Sequence, residues 1–298
     1  MVEIEENKIL SLDDFSQTFH IDKKNIRGRF IKFGPLLNTI LTKHDYPLPV
    51  SHLLSEVLIL CAGLAATLKY QGIFSLEVKG QGPINFAMAD VTSEGMVRAY
   101  AKFDKDKINP ALSPFDHLGQ GYLTFTVDQG EYSERYQGII ELSGKKLLDC
   151  ILDYFTQSEQ IQTYACLKIQ NKKDDWMGRL LLIQTMPGFD NTDHNDLDDY
   201  WNYAKSVLDT ITEKEIFHED LNLNKFLGQL FYPEKFHLYP PSYLKAGCRC
   251  SEARIQTILK NFSTQQLEEF KIDQSIFVNC EFCNTRYYFD AKTLNPLS

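Results

Sequence analysis

Four cysteines near the C-terminus have the types and spacing to hold a metal. Cys248 and Cys250 have one residue between them, Cys280 and Cys283 have two, and residues 251–279 separate the pairs. Thiolates in two close pairs can close on one tetrahedral Zn²⁺, each pair supplying two ligands. The C-x-x-C pair has ordinary zinc-knuckle spacing. The C-x-C pair does not: both sulfurs can reach a metal, but the two thiols are also within reach of each other. Structural zinc modules avoid that arrangement. It points to a site that holds one zinc per chain when reduced, and that gives up the metal and forms disulfides when oxidised.

Other constellations carry less. Ser143-Gly144-Lys145-Lys146 matches S-x-x-K without the companion motifs of a penicillin-binding site. His218-Glu219 opens a metalloprotease-like string, but Asn222 stands where the second histidine belongs. Gly119-Gln120-Gly121 lacks the third glycine of a dinucleotide fingerprint and reads as a turn, and Asn261-Phe262-Ser263 is a sequon without a secretory route. The seven histidines are scattered, none at metal spacing from another. Cys61, Cys150 and Cys166 lie in apolar periodic stretches and read as buried core thiols. No nucleophile is paired with a base, so a non-enzymatic protein is expected.

A chain of 298 residues with 43% hydrophobic residues can bury a full core, as one large domain and a smaller one. The formal charge of −9 and a pI near 5.3 argue against nucleic acid as a partner. The acidic start Met1–Glu6 lacks a secretory apolar run, and the longest apolar stretch, Leu53–Leu68, is interrupted by Ser55 and Glu56. No membrane partner is expected, and a cytoplasmic location with reduced thiols is.

The cysteines need elements to position them. Leu53 to Leu68 has helical spacing, with Ser51 as its cap and Gly72 as its end. Strand alternation follows at Phe74–Val78, Ile84–Met88, Met96–Phe103, Leu123–Val127 and Tyr136–Leu142, with turns at Thr92–Gly95 and Gln129-Gly130. Leu147 to Phe155 is a helix face, and Thr163–Gln170 and Gly178–Gln184 are two further strands. Short connections favour antiparallel pairing. Residues 1–188 therefore read as an α+β domain with an antiparallel sheet and packed helices.

Residues 189–240 read as an acidic helical linker. Asp190, Asp193, Asp196, Asp198 and Asp199 precede helical patterns that offer Tyr200, Trp201, Tyr203, Val207, Leu208, Ile211, Phe226, Leu227 and Leu230 for burial. Taken alone, that is an ordinary solvated acidic face on amphipathic helices. Residues 241–298 read as a small zinc-binding domain. Ser251 caps one helix, Ser263 and Gln266 box a second over Leu267–Ile272, and Ile276, Val278 and Cys280 alternate as a strand. Its core is small, so the metal should supply much of its stability.

These strings together resemble the redox-regulated holdase family of 33 kDa heat-shock chaperones over nearly the whole length. They include Arg27-Gly28-Arg29, Tyr46-Pro47 with Leu53–Glu56, Gly82-Pro83, Ala89-Asp90, Arg98–Ala101, Tyr136–Ile139, Gln157–Gln160, Phe217–Glu219 and the two cysteine pairs. Ala246-Gly247 departs from the family pattern, which would place a bulkier apolar residue before the first pair. The resemblance implies zinc ligation by Cys248, Cys250, Cys280 and Cys283. It implies a chaperone without ATP, quiescent while reduced and monomeric. Oxidation to Cys248–Cys250 and Cys280–Cys283 disulfides expels the metal. The zinc domain and linker then unfold, exposing surface that captures unfolded client proteins, and a dimer forms. The linker's own apolar pattern offers Tyr200, Trp201, Val207, Leu208, Ile211, Phe226, Leu227 and Leu230 as client-binding candidates, with the first domain the alternative surface.

The energetics suit such a switch. A zinc-thiolate site contributes on the order of 10–16 kcal/mol in a small domain, and it ties residue 248 to residue 283. A disulfide across a three-residue loop restricts the unfolded chain by only about 1.6 kcal/mol. Two other classes stay open. A structural zinc module would keep its metal under oxidant and carry a basic face at Arg249, Arg254, Lys260 and Arg286. A thiol oxidoreductase using Cys280–Cys283 would need a βαβ context that this segment does not offer.

Overall fold

The computed structural model describes residues 14–130, 136–186, 194–272 and 275–290. Among these, two six-stranded sheets stand either side of one long helix, and a three-stranded sheet carries the second cysteine pair. The mixed α+β class expected from the sequence is the class observed.

The central helix α2 (Leu48–Ala65) follows α1 (Pro35–Leu41). It starts earlier than the apolar periodicity suggests. Pro47 takes the cap position and Pro49 the first turn, where no N–H is needed. Ser51 is therefore inside the helix rather than capping it, and its hydroxyl donates back to the Tyr46 carbonyl. The helix ends at Ala65; Gly72, with φ +114°, instead turns the chain into the next strand. Ser55 and Glu56 do not interrupt the helix, which is long and apolar enough to cross a membrane by length and composition. It is almost wholly buried inside the protein. Ser55 donates to the Ser51 carbonyl at 2.8 Å. Glu56 accepts from the backbone N–H groups of Leu147 and Leu148 at the start of α3 (Leu147–Gln157).

One sheet, A, contains β1 (Phe15–Ile21), β2 (Ile26–Phe33), β8 (Thr163–Lys172), β9 (Asp175–Thr185), β10 (Phe236–Leu238) and β11 (Ser242–Tyr243). The other, B, contains β3 (Ile73–Gly80), β4 (Ile84–Thr92), β5 (Met96–Phe103), β6 (Gly121–Asp128), β7 (Tyr136–Glu141) and β12 (Lys245–Ala246). Pairing is antiparallel throughout except for β12, which runs parallel to β5. Alternation along β2, β9 and β3 to β7 sends one set of side chains to the core around α2. In β9, Leu180 and Leu182 join the core around α2, whereas Leu181 and Ile183 face the other side.

That other side of sheet A is covered by α4 (His194–Asp209), α5 (Glu213–Ile216) and α6 (Leu223–Leu230). Their apolar face buries Tyr200, Trp201, Leu208, Ile211, Phe226 and Leu227, with Leu208 1% exposed and Leu227 0%. Val207 and Leu230 are half-buried. Tyr203 departs from the expectation: it is 42% exposed, its hydroxyl directed at the Tyr232 carbonyl. Asp190 and Asp193 lie outside the described residues, as does the side chain of Asp196. Cys61 and Cys150 are buried as expected, whereas Cys166 is half-buried.

After α6 the chain forms a strap. Strands β10 and β11 pair with β1, and β12 with β5, so residues 236–246 fasten sheet A to sheet B before the first cysteine.

Candidate metal centre

The cysteine region is built from α7 (Glu252–Leu259), α8 (Thr264–Glu269), β13 (Lys271–Ile272), β14 (Ser275–Asn279) and β15 (Arg286–Asp290). Ser251 caps α7 by accepting from the Arg254 N–H, and Ser263 with Gln266 forms the capping box of α8. Helix α8 stops at Glu269, short of the expected Ile272, because Lys271 and Ile272 pair with β14. The core here is only Ile255, Leu259, Leu267, Ile276 and Phe289, with Phe262, Val278 and Tyr287 packed against it.

Strands β14 and β15 form a hairpin whose turn is the second knuckle. Cys280 leaves the strand register because its backbone serves the turn. Its N–H donates to the Thr285 carbonyl at 2.9 Å, and its carbonyl accepts from the Asn284 N–H at 2.8 Å. Asn284 adopts a left-handed φ of 56°, which asparagine tolerates. The first pair comes from the end of the strap, where the Gly247 N–H donates to the Val97 carbonyl at 3.0 Å. A Cβ at 247 would lie 3.2 Å from Met96 Sδ, so the small residue here is matched by a large one on β5.

The two segments bring Sγ of Cys248, Cys250, Cys280 and Cys283 within 4.8 Å of one another. Cys248 and Cys280 are 3.6 Å apart and Cys250 and Cys283 3.4 Å. Four thiolates about 2.3 Å from a tetrahedral centre sit at similar mutual separations, so the donor set fits zinc in number, chemistry and spacing. Around them, Tyr287 Oη donates to Cys250 Sγ at 3.1 Å, and Thr285 Oγ1 is 3.2 Å from Cys283 Sγ. Burial pushes Cys250 up to about 12, joined by its thiol neighbours, against the Tyr287 hydrogen bond. Burial also raises Cys280. At Cys283 burial is outweighed by hydrogen bonds from Thr285 and by Cys250 and Cys280, and the thiol falls to about 7. Uneven acidities in one cluster are what proton sharing among four adjacent thiols produces.

The knuckles dock on sheet B. Arg98, Tyr100 and Lys102 alternate along β5 and share its outward face, while Val97, Ala99 and Ala101 point to the core. Arg98 lies 3.7 Å over the Phe282 ring and donates towards Cys248 Sγ at 3.9 Å. Tyr100 meets Phe282 edge-on at 4.6 Å, and Lys102 pairs with Glu281 at 3.1 Å. Asp90, the cross-strand partner of Arg98, accepts from Arg98 at 2.9 Å and from Arg249 at 2.8 Å. Its carboxylate is buried; desolvation raises its pKa, and the two guanidiniums oppose that rise. Arg249, between the first two cysteines, thus turns inward to Asp90 rather than contributing to a basic face. None of these contacts was assigned a role from sequence. The Arg98-x-Tyr100-x-Lys102 alternation was the available signal.

The sequence model described as Hsp33 protein matches residues 14–290. The chain is 32% identical over 290 residues to the 33 kDa chaperonin of Caulobacter vibrioides, covering 94% of this chain and 95% of that protein. It is 33% identical over 286 residues to the 33 kDa chaperonin of Azotobacter vinelandii, covering 95% and 94%. The crystal structure of the 33 kDa chaperonin (heat shock protein 33 homolog) from Thermotoga maritima superposes with a TM-score of 0.79 at 18% identity. That match covers 94% of this chain and 96% of the other, and it is a likeness of fold.

Proposed function

The chain belongs to the Hsp33 chaperone family, and from that premise we propose that it is an ATP-independent holdase switched on by oxidation of Cys248, Cys250, Cys280 and Cys283. The observation that carries the proposal is the convergence of these four sulfurs from two segments, the end of the strap and the β14–β15 turn. When bound there, one zinc ion ties the end of the strap to the β14–β15 turn.

Following the family resemblance, oxidation pairs Cys248 with Cys250 and Cys280 with Cys283. Each disulfide forms as two thiolates pass two electrons to a peroxide or hypochlorite, reduced to water or chloride. Neither bond spans the two segments, so the long-range tie is lost. What remains is a core of five buried apolar residues, too small to hold the domain alone. Arg249 then leaves Asp90, Phe282 leaves Arg98 and Tyr100, and the strap loses its anchor at Gly247.

Release of the strap unfastens α4, α5 and α6 from sheet A and uncovers Tyr200, Trp201, Leu208, Ile211, Phe226 and Leu227 for unfolded clients. The zinc-binding region at 241–298 acts as sensor, residues 189–240 as gate, and residues 1–188 as the scaffold they leave. The reduced protein is a cytoplasmic monomer, the oxidised one a dimer, and reduction reverses the switch. No catalytic turnover is involved.

The test measures suppression of client aggregation by reduced and by oxidised protein, with zinc content followed in parallel by a colorimetric chelator. Activity appearing with zinc release supports the switch. Zinc retained under peroxide, with no gain of activity, makes this a structural zinc module.

A further inference from the structure

Strand pairing assembles a second set of metal-ligating side chains that sequence spacing gives no hint of. His20 on β1 stands directly opposite His237 on β10, and their rings stack at 5.3 Å. Asp22, two residues after His20 and so on the same face, places Oδ1 3.1 Å from His20 Nε2. One ligand atom from each of His20, Asp22 and His237 lies within 4.8 Å of the others. Tyr239 Oη sits 3.0 Å from His20 Nδ1. With Nε2 turned to a metal, the ring proton resides on Nδ1 and His20 donates to Tyr239, the outer-shell support that histidine ligands use. Arg27, across the ladder from His20, directs its guanidinium at Gln184 Oε1 at 3.3 Å.

We propose that His20, Asp22 and His237 form a second divalent-metal site, separate from the four cysteines, that clips β10 onto β1. Two imidazoles and one carboxylate select a borderline transition ion such as Zn²⁺ or Ni²⁺ over Mg²⁺ or Ca²⁺. Three protein ligands leave a position for water, so the site is weaker than the thiolate centre and fills only after it. The clip lies at the start of the strap, just after α6. Its consequence, slower opening of the gate, rests on the function proposed above; metal binding does not.

Calorimetric titration of Zn²⁺ into reduced, zinc-replete protein tests it. A second equivalent should bind in the wild type and in His218→Ala, an exposed histidine elsewhere. It should bind at least about tenfold more weakly in His237→Ala and in Asp22→Asn, and about tenfold more weakly in Tyr239→Phe, the positioning residue. Wild type that takes one equivalent only, or His237→Ala and Asp22→Asn that both keep the second at unchanged affinity, overturns the site. If the site binds but peroxide activation is equally fast with and without the second equivalent, the clip stands and its link to the gate falls.

Discussion

Glu56 is the residue at which pH should act on the fold. Burial pushes its carboxyl up to about 7, against the two N–H groups of α3 that favour the charge. A folded-state value above the ordinary one means stability fully present below about 4.5 and lost as pH rises through about 7, on the order of 3 kcal/mol in all. Denaturant unfolding between pH 4 and 8 should show that decline in the wild type and a flatter profile in Glu56→Gln. Equal slopes for the two proteins would remove Glu56 as the cause. At the metal centre, Cys280→Ser leaves three thiolates and should lose most of the bound zinc; full retention would break the four-thiolate assignment. Under a peroxide time course, Cys280–Cys283 should form first, because C-x-x-C closes with less strain than C-x-C; mass mapping with Cys248–Cys250 leading throughout would contradict this. The four cysteines were legible because their spacing is local. Asp22, His20 and His237 were not, because a cross-strand register unites them.

At the scale of elements, periodicity located most strands of sheet B, the hairpin β8–β9 and the helices α2, α3, α4 and α6. It failed where the pattern is mixed or short. Strand β1 carries Ser16, Gln17, Thr18 and His20, and the strap strands are two or three residues long. Their pairing depends on distant partners, with β10 and β11 more than 200 positions from β1 and Lys245 of β12 opposite Met96 of β5. The amphipathic faces of α4 and α6 were visible, but what covers them was not. The covering surface is the outer face of sheet A, through Phe19, Ile21, Phe30, Leu181 and Ile183. Leu208→Asp puts a charge into that contact. Burying an unpaired carboxylate costs several kcal/mol, enough to detach α4 while leaving the core around α2 intact. The variant should suppress client aggregation when reduced and zinc-loaded. Should it stay inactive while proteolysis shows α4 to be open, the gate lies elsewhere.

For the whole molecule, the two cysteine knuckles and the helices α4, α5 and α6 pack on different sheets. The cysteine region rests on sheet B, chiefly on β5, whereas α4, α5 and α6 rest on sheet A. In the switch proposed above, a signal from the cysteines travels along the strap, which pairs with both sheets in succession, rather than by direct bracing of the helices. Arg249 tests where that path begins. It contributes a charge-assisted hydrogen bond to the buried Asp90 at 2.8 Å, and such bonds are worth about 1.5–3 kcal/mol. Arg249→Ala leaves Asp90 paired with Arg98 alone and should raise the undocked population by roughly ten- to a hundredfold. Zinc content under reducing conditions should be unchanged, because no thiolate is removed. Peroxide should nevertheless release the zinc faster, since undocking takes Arg98 away from Cys248 and opens the cluster to oxidant. Hydrogen exchange should rise along β5, β12 and the strap before it rises in α4. Exchange rising first in α4, with β12 still protected, would mean that the helices open independently of the strap.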